Sequence, residues 1–167
     1  MTQRPSVRRS ARPRRSRAAS TSSYELPVRV GASRTGRGVF AGRHFRSGQY
    51  VSRISGRIID DPEYSSDYCM ELGHKTLEPD APFRYLNHSC QPNCTLVWEP
   101  APHDRRAPIR LYLQALVPIA EGSELTIDYA WPASAAIRCG CASPQCRGWI
   151  VAPDELARVE AARRAGY

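Results

Sequence analysis

Cys139-Gly140-Cys141, followed after four residues by Cys146, places three thiols in a short stretch rich in glycine, serine and proline. Thiolates at such spacing converge on a soft metal, and zinc in a structural site takes four ligands. The run supplies three, so the fourth comes from elsewhere, with Cys90 and Cys94 as the obvious donors. Six cysteines in 167 residues are too sparse for a secreted disulfide scaffold. Their clustering favours a reduced compartment and a metal over ordinary free thiols.

A second concentration of polar chemistry is Arg84-Tyr85-Leu86-Asn87-His88-Ser89-Cys90-Gln91-Pro92-Asn93-Cys94. His88-Ser89 is not a hydrolase pair, because neighbours in an extended chain point to opposite faces and no G-x-S-x-G elbow surrounds the serine. Upstream lies Gly36-Arg37-Gly38, where two glycines around a turn let backbone approach a ligand closely. Downstream, Glu124-Leu125-Thr126-Ile127-Asp128-Tyr129 continues to Trp131. Taken singly, each has an ordinary explanation: a hairpin turn, a polar turn before a strand, a strand with an aromatic face.

Their order is specific. G-x-G, then R-Y-L-N-H-S-C-x-P-N-C, then E-L-T-x-D-Y, then C-x-C-x4-C, over about residues 30–149, closely resembles the SET-domain protein lysine methyltransferases with a post-SET zinc segment, as a compact member without a pre-SET cluster. The resemblance implies a mostly-β, SET-type fold of small sheets (a β-clip). In it the N-H-S-C and E-L-T-x-D-Y segments form a knot-like threaded arrangement, followed by a short zinc-bound post-SET segment and a C-terminal helix. It implies S-adenosyl-L-methionine on one face and a target lysine entering through a narrow channel from the other. Carried over by motif, Gly36, Arg37, Gly38, Asn87 and His88 would contact the cofactor, Tyr68 also, and Trp149 would close over its adenine. Tyr129 corresponds to the catalytic tyrosine at the cofactor. Cys90, Cys139, Cys141 and Cys146 correspond to the ligands of one structural zinc, which leaves Cys94 as a buried thiol. Tyr85, Ile127 and Trp131 fall at the substrate channel. Ile127 departs from the pattern, which usually has Phe or Tyr there; without a hydroxyl to anchor a water it leans toward higher methylation states, unless an aromatic from elsewhere, such as Tyr85 or Trp131, compensates.

The chemistry suits these residue types. An ammonium has no lone pair, and free lysine has a pKa of about 10.4, so the target must lose its proton before accepting a methyl group. An apolar channel and an adjacent sulfonium both disfavour the charged amine. Tyr129 can hold the amine, and the motifs contain no strong general base. Rate then comes from orientation and a preorganised, water-poor channel. Two other functions compete with this one: a catalytically weak SET-like module that binds basic peptides, and a zinc-stabilised nucleic-acid-binding protein. Tyr129 together with Asn87-His88 favours the enzyme over the first.

Charge decides against the second. The net charge is +8, but residues 1–23 hold seven arginines and no acid, while the remaining 144 residues hold 17 basic and 16 acidic residues. The basic balance therefore belongs to a tail, not to a basic DNA-binding globule. With almost nothing to bury, residues 1–23 are expected to be a disordered Arg-rich tail, at most a weak nucleic-acid contact. Residues 58–83 are the reverse: Asp60, Asp61, Glu63, Asp67, Glu71, Glu78 and Asp80 stand against Lys75 alone. Such an insertion can form one wall of a groove for a basic protein or peptide partner.

The elements that must position these groups are mostly short strands. Val28 and Val30, then Gly38-Val39-Phe40, bracket a glycine-rich turn. Tyr50 to Ile59 is a β-rich stretch interrupted at Gly56. Thr95 to Trp98 and Ile109 to Ala115 read as paired strands joined by a loop with Pro100, Pro102, Asp104 and Arg105. Leu125, Ile127, Tyr129 and Trp131 alternate in the same way. Only Pro153 to Arg164 carries a helical signature, with proline in the first turn and arginines at the end. The expected organisation is a tail over 1–23, a SET domain over 24–132, a post-SET zinc segment over 133–151 and a C-terminal helix over 152–167. No apolar run approaches the roughly 18 residues of a membrane span, and no apolar stretch follows the basic N-terminus as in a secretory signal. The expected location is intracellular, in the cytoplasm or associated with chromatin or a nucleoid.

Overall fold

Val28–Ser33 (β1) and Gly36–Ala41 (β2) form an antiparallel hairpin closed by Arg34 and Thr35. Gly36 has φ +113°, in the left-handed region where a side chain is costly, so this residue is what allows the reversal. The structure, a computed structural model, describes residues 26–73, 75–99 and 110–165. The expected tail over 1–23, and the loop with Pro100, Pro102, Asp104 and Arg105, lie outside the described residues.

The next strands are Tyr50–Ile54 (β3), Gly56–Ile59 (β4), Met70–Leu72 (β5) and Lys75–Pro79 (β6). Gly56 does not interrupt the β-rich stretch. It begins β4, and the break falls at Ser55; the position is glycine because a Cβ at residue 56 would collide with the backbone of Glu78 on the paired strand β6. A 3-10 turn at Phe83–Tyr85 leads to Asn87–His88 (β7), then Cys94–Glu99 (β8), Arg110–Ala115 (β9) and Glu124–Ile127 (β10). Strands β8 and β9 are paired as expected, with Leu96 opposite Leu113. Ile137–Arg138 (β11) and Trp149–Ile150 (β12) form a two-stranded pair. Leu156–Arg164 (α1) closes the described chain, after a 3-10 turn at Pro153–Glu155.

These strands make small sheets in the orders β1-β2-β10-β7, β3-β9-β8, β4-β6-β5 and β11-β12. The architecture is therefore mostly β with one C-terminal helix. Its core is built from the alternating faces: Val39 and Leu125 stand opposite one another in register and are both fully buried, as are Phe45 and Leu113. Each such side chain contributes about 1.5–3 kcal/mol on leaving water. The N-H and E-L-T segments meet as a parallel pair, Thr126 opposite Asn87 and Ile127 opposite His88. That pairing brings residues distant in sequence to one end of the molecule.

The alternation from Leu125 to Trp131 is not one strand. Leu125 and Ile127 face the core, but β10 ends at Ile127. Asp128 Oδ1 accepts a hydrogen bond from the Ala130 amide at 3.1 Å, and Ala130 takes φ +49°. This Asx-type turn redirects the chain at a conformational cost of roughly 1–2 kcal/mol for a residue with a Cβ.

Candidate active site

Because β7 runs beside β10, Asn87 and His88 flank the segment that carries Tyr129. The Asn87 amide nitrogen donates to Arg37 O at 2.9 Å and to Glu124 Oε1 at 2.7 Å, and lies 3.3 Å from Ser33 Oγ. A Cβ at Gly38 would collide with the Glu124 carboxylate. Gly38 is therefore required so that Glu124 can reach Asn87. Asn93 completes the scaffold, donating to Glu124 O at 2.8 Å and accepting from the Thr126 amide at 2.9 Å.

The Tyr129 hydroxyl donates to Leu86 O at 2.7 Å. Its ring lies against those of His88 and Trp131, at centroid separations of 5.4 and 5.3 Å. Burial pushes the phenol up to about 12; Glu124 and Tyr68 add to the rise, and a backbone hydrogen bond from His88 opposes it. Tyr129 is thus a neutral phenol at physiological pH and not a base. With its own proton committed to Leu86, its oxygen retains lone pairs that can accept.

Tyr129 and Asn87 line a cleft of about 420 Å³ together with Thr35, Arg37, Tyr68 and Arg84. Asp67, Tyr85 and Leu86 complete the lining. The volume lies within the range of small-molecule sites. Its aromatic walls are held by guanidinium stacking: Arg84 lies 4.4 Å from the Tyr68 ring centroid, and Arg37 lies 5.2 Å from that of Tyr85 while donating to its hydroxyl at 3.1 Å. An open depression of about 610 Å³ on loop 42–49 is larger but holds none of these groups.

Behind the cleft, His88 Nε2 and the sulfurs of Cys90, Cys139 and Cys141 lie within 4.8 Å of one another. The Cys90 and Cys139 sulfurs are 3.6 Å apart. Sulfurs around a tetrahedral zinc with bonds of about 2.3 Å would be roughly 3.8 Å apart, so the spacing fits. Backbone amides of Cys141 and Gly148 point at the sulfurs of Cys139 and Cys146, both at 3.4 Å, as suits thiolates. Burial opposes ionisation of Cys141, but hydrogen bonds from the Cys90 and Ser143 backbone, the Ser143 hydroxyl and Cys139 outweigh it and bring the thiol down to about 5. Burial raises Cys90 and Cys139. This soft donor set could hold a zinc ion.

Cys146 stands outside the tight group, although it interacts with Cys139. His88 is inside it, but its Nδ1 accepts the Tyr129 amide hydrogen at 3.2 Å. A neutral imidazole that accepts at Nδ1 carries its proton on Nε2. Nε2 therefore donates toward Cys90 at 3.3 Å. Burial, the largest influence, keeps the ring neutral; Asp128 opposes this and Arg147 adds to it.

The structure thus brings Arg37, Tyr68, Tyr85, Asn87 and Tyr129 to one cleft, and Cys90, Cys139 and Cys141 to one cluster. Gly36, Gly38 and His88 are outside the lining, and Ile127 is in the core. Trp131 packs on Tyr129. Trp149 is also outside the lining; its ring is stacked by Arg138 at 4.2 Å and Arg163 at 5.4 Å. Cys94 is buried and apart, its thiol pushed up to about 12 by desolvation. Sequence reasoning missed Arg84, Glu124, Asn93 and Arg147. Arg84 stood inside the quoted motif, whereas Arg147, the residue after Cys146, carried no signal until its partners were visible.

A family model described as the SET domain matches residues 36–130. The chain is similar to the histone-lysine N-methyltransferase Set2 of Drosophila melanogaster, 31% identical over 74% of this chain and 6% of that protein. It is similar to the histone-lysine N-methyltransferase mes-4 of Caenorhabditis elegans, 31% identical over 68% of this chain and 15% of that protein. The chain spans only this small fraction of the curated relatives it matches. Among solved structures, KRYPTONITE in complex with mCHG DNA and SAH matches with a TM-score of 0.64 and 22% identity, over 74% of this chain and 28% of that one. A second KRYPTONITE structure, with mCHH DNA, an H3(1-15) peptide and SAH, matches with a TM-score of 0.63 and 22% identity over 75% of this chain and 30% of that one.

Proposed function

The chain belongs to the SET-domain family, and from that premise we propose that it is a protein-lysine N-methyltransferase. It transfers methyl groups from S-adenosylmethionine to the side-chain amine of lysine in a basic protein, histone-like, ribosomal or otherwise nucleic-acid-associated. One observation carries this reading: Tyr129, its hydroxyl tied to Leu86 O, and Asn87 converge on a single cleft with Arg37 and Tyr68. The relatives named as histone-lysine methyltransferases and the SAH in the KRYPTONITE complexes support it.

The cleft fits the cofactor chemically. Arg37, Tyr68, Arg84 and Asn87 would hold it, with Gly36, Gly38 and His88 shaping the wall behind and Trp149 on the adjoining segment. S-adenosylmethionine supplies the methyl group on a positively charged sulfur. Tyr129 accepts from the incoming amine and orients its lone pair, and Tyr85 with Trp131 and Ile127 narrows its approach. The lysine proton leaves to solvent, since no side chain in the cleft is placed as a strong base. Rate comes from alignment and exclusion of water. One zinc on Cys90, Cys139, Cys141 and Cys146 would be structural, with His88 donating to the Cys90 sulfur.

Substrate choice rests on the insertion. Glu78 is occupied in holding the hydroxyls of Tyr64 and Ser66, and Asp60 pairs with Lys75 at 2.9 Å. Glu71 on β5 and Asp67 at the cleft are exposed. Among the described residues β5 pairs only with β6, so its other edge is open to an added peptide strand. A basic peptide there meets acidic side chains. An intracellular, chromatin- or nucleoid-associated location and a weak polyanion contact by residues 1–23 belong to the same proposal.

The deciding experiment incubates the full chain with isotopically labelled S-adenosylmethionine and a panel of basic proteins, read by intact mass. Mass increments of one or more methyl groups on lysine support the function. Cofactor binding without transfer to any protein of the panel would leave the weak peptide-binding module instead. Within residues 1–167 the lysine available for self-methylation is Lys75.

A further inference from the structure

The folded part of the chain is near neutral as a whole, yet its charge is sharply segregated. Residues 24–57 hold seven arginines against Glu25 alone, immediately before the acidic insertion. Among the described residues no carboxylate forms a salt bridge with any of these seven. Two of them, with His44, lie in loop 42–49, whose depression is lined by Arg43, His44, Arg46, Ser47, Gly48 and Gln49, with no acid and no apolar side chain.

The loop is rigidly built. Phe45, fully buried, exchanges two backbone hydrogen bonds of 2.9 Å with Ile119. Ser47 Oγ donates to Leu116 O at 2.7 Å, Gln49 Oε1 accepts from the Arg46 amide at 3.0 Å, and Gln114 Nε2 donates to Gly48 O at 2.8 Å. With Phe45 anchored, Arg43, His44 and Arg46 are exposed on either side of it. The Gly42 amide donates to Pro27 O at 2.9 Å. The start of the described chain therefore lies beside this loop. The cleft is at the other end of the β1–β2 hairpin, at Thr35, roughly 20 Å away for six residues of strand.

We propose that loop 42–49, through Arg43, His44 and Arg46, binds the phosphate backbone of nucleic acid. Guanidinium groups and a side-chain amide are donors that phosphate oxygens accept from. A concave cationic surface at this distance anchors the protein on a nucleic acid while the acidic edge of β5 takes up a basic protein. The proposal does not depend on the methyl-transfer reading, since it concerns a separate surface.

The test is fluorescence anisotropy of a labelled 30-base-pair DNA duplex titrated with the full chain between 50 and 200 mM salt. Arg43→Ala/Arg46→Ala should weaken binding about tenfold at the lower salt and reduce the slope of log affinity against log salt by about 2, one unit per lost phosphate contact. Arg164→Ala, on the C-terminal helix, should leave both unchanged. Equal affinity and slope for the double variant and wild type would overturn the proposal, as would absence of wild-type binding at 50 mM. Phosphatidylglycerol vesicles that bind as tightly as DNA, with the same dependence on Arg43 and Arg46, would also overturn it in favour of a lipid surface. Methylation of a free basic peptide should be the same for the double variant and wild type, so failure of either reading is visible separately.

Discussion

One nitrogen of the Arg147 guanidinium, Nη2, lies 2.9 and 2.8 Å from the two carboxylate oxygens of Asp128, the residue before Tyr129. The same nitrogen donates to Val151 O at 2.9 Å, and Nη1 donates to Cys90 O at 3.4 Å. A single side chain thus ties the cysteine-bearing segment to the turn that holds Tyr129 and to the loop of Cys90. The side chains of Arg147 and Asp128 are 14% and 23% exposed, so water can replace little of what the pair provides.

Arg147→Ala should lower stability by about 2–3 kcal/mol, because it leaves Asp128 and two carbonyls without their charged partner. Turnover should fall more than the Michaelis constant rises, since Tyr129 loses its support. Arg147→Lys keeps the charge but not the planar fork and should recover only part of the loss. Urea denaturation and steady-state kinetics check both; a wild-type midpoint and turnover for Arg147→Ala would remove the link.

Tyr129→Phe should lower turnover about a hundredfold while changing cofactor affinity little, as expected for an interaction strongest in the transition state. The raised phenol pKa has a sign that can be checked. The folded state holds this proton more tightly than the unfolded chain, whose tyrosine ionises near 10. The stability associated with Tyr129 is therefore full below about pH 10 and lost as pH rises toward about 12. Ultraviolet titration of wild type against Tyr129→Phe should show one tyrosine of this kind.

One zinc per chain should accompany protein purified without chelator. Chelation should disorder residues 139–150 and weaken cofactor binding, because this segment is too small to fold alone. Cys146→Ser should lower zinc affinity about tenfold or more, while His88→Gln should retain it, since the imidazole acts on the Cys90 sulfur rather than on the metal. The opposite pattern, zinc lost in His88→Gln and kept in Cys146→Ser, would make histidine the fourth ligand.

Charge reversal at the open edge, Asp67→Lys with Glu71→Lys, should raise the Michaelis constant for a basic peptide several-fold and leave turnover on saturating peptide less affected. The wild-type preference for basic peptides should shrink with added salt, as screening predicts for exposed charges. These two residues are better probes than Asp60, whose pairing with Lys75 would also be broken. Equal efficiency on basic and neutral peptides at all salt concentrations would remove the steering role.

The sequence alone determined the family, the mostly-β character, the catalytic candidate Tyr129 and the cysteine cluster. Each is carried by residue type and short spacing: C-x-C keeps Cys139 and Cys141 together whatever surrounds them, and alternation in Leu111 and Leu113 marks a face of β9 locally. Relations between segments far apart in the chain were decided only by the tertiary structure. Asn87 meets Glu124 because β7 lies parallel to β10, and Gly38 is bare to admit that carboxylate. The run from Leu125 to Trp131 looked like one strand, since alternation does not reveal the Asp128 side chain capping a turn at Ala130. Arg147 resembled any surface arginine until folding placed a carboxylate and two carbonyls around it. Spacing encodes what neighbours along the chain can do together, whereas a hydrogen bond across 19 or 37 residues exists only once the sheets have set both ends.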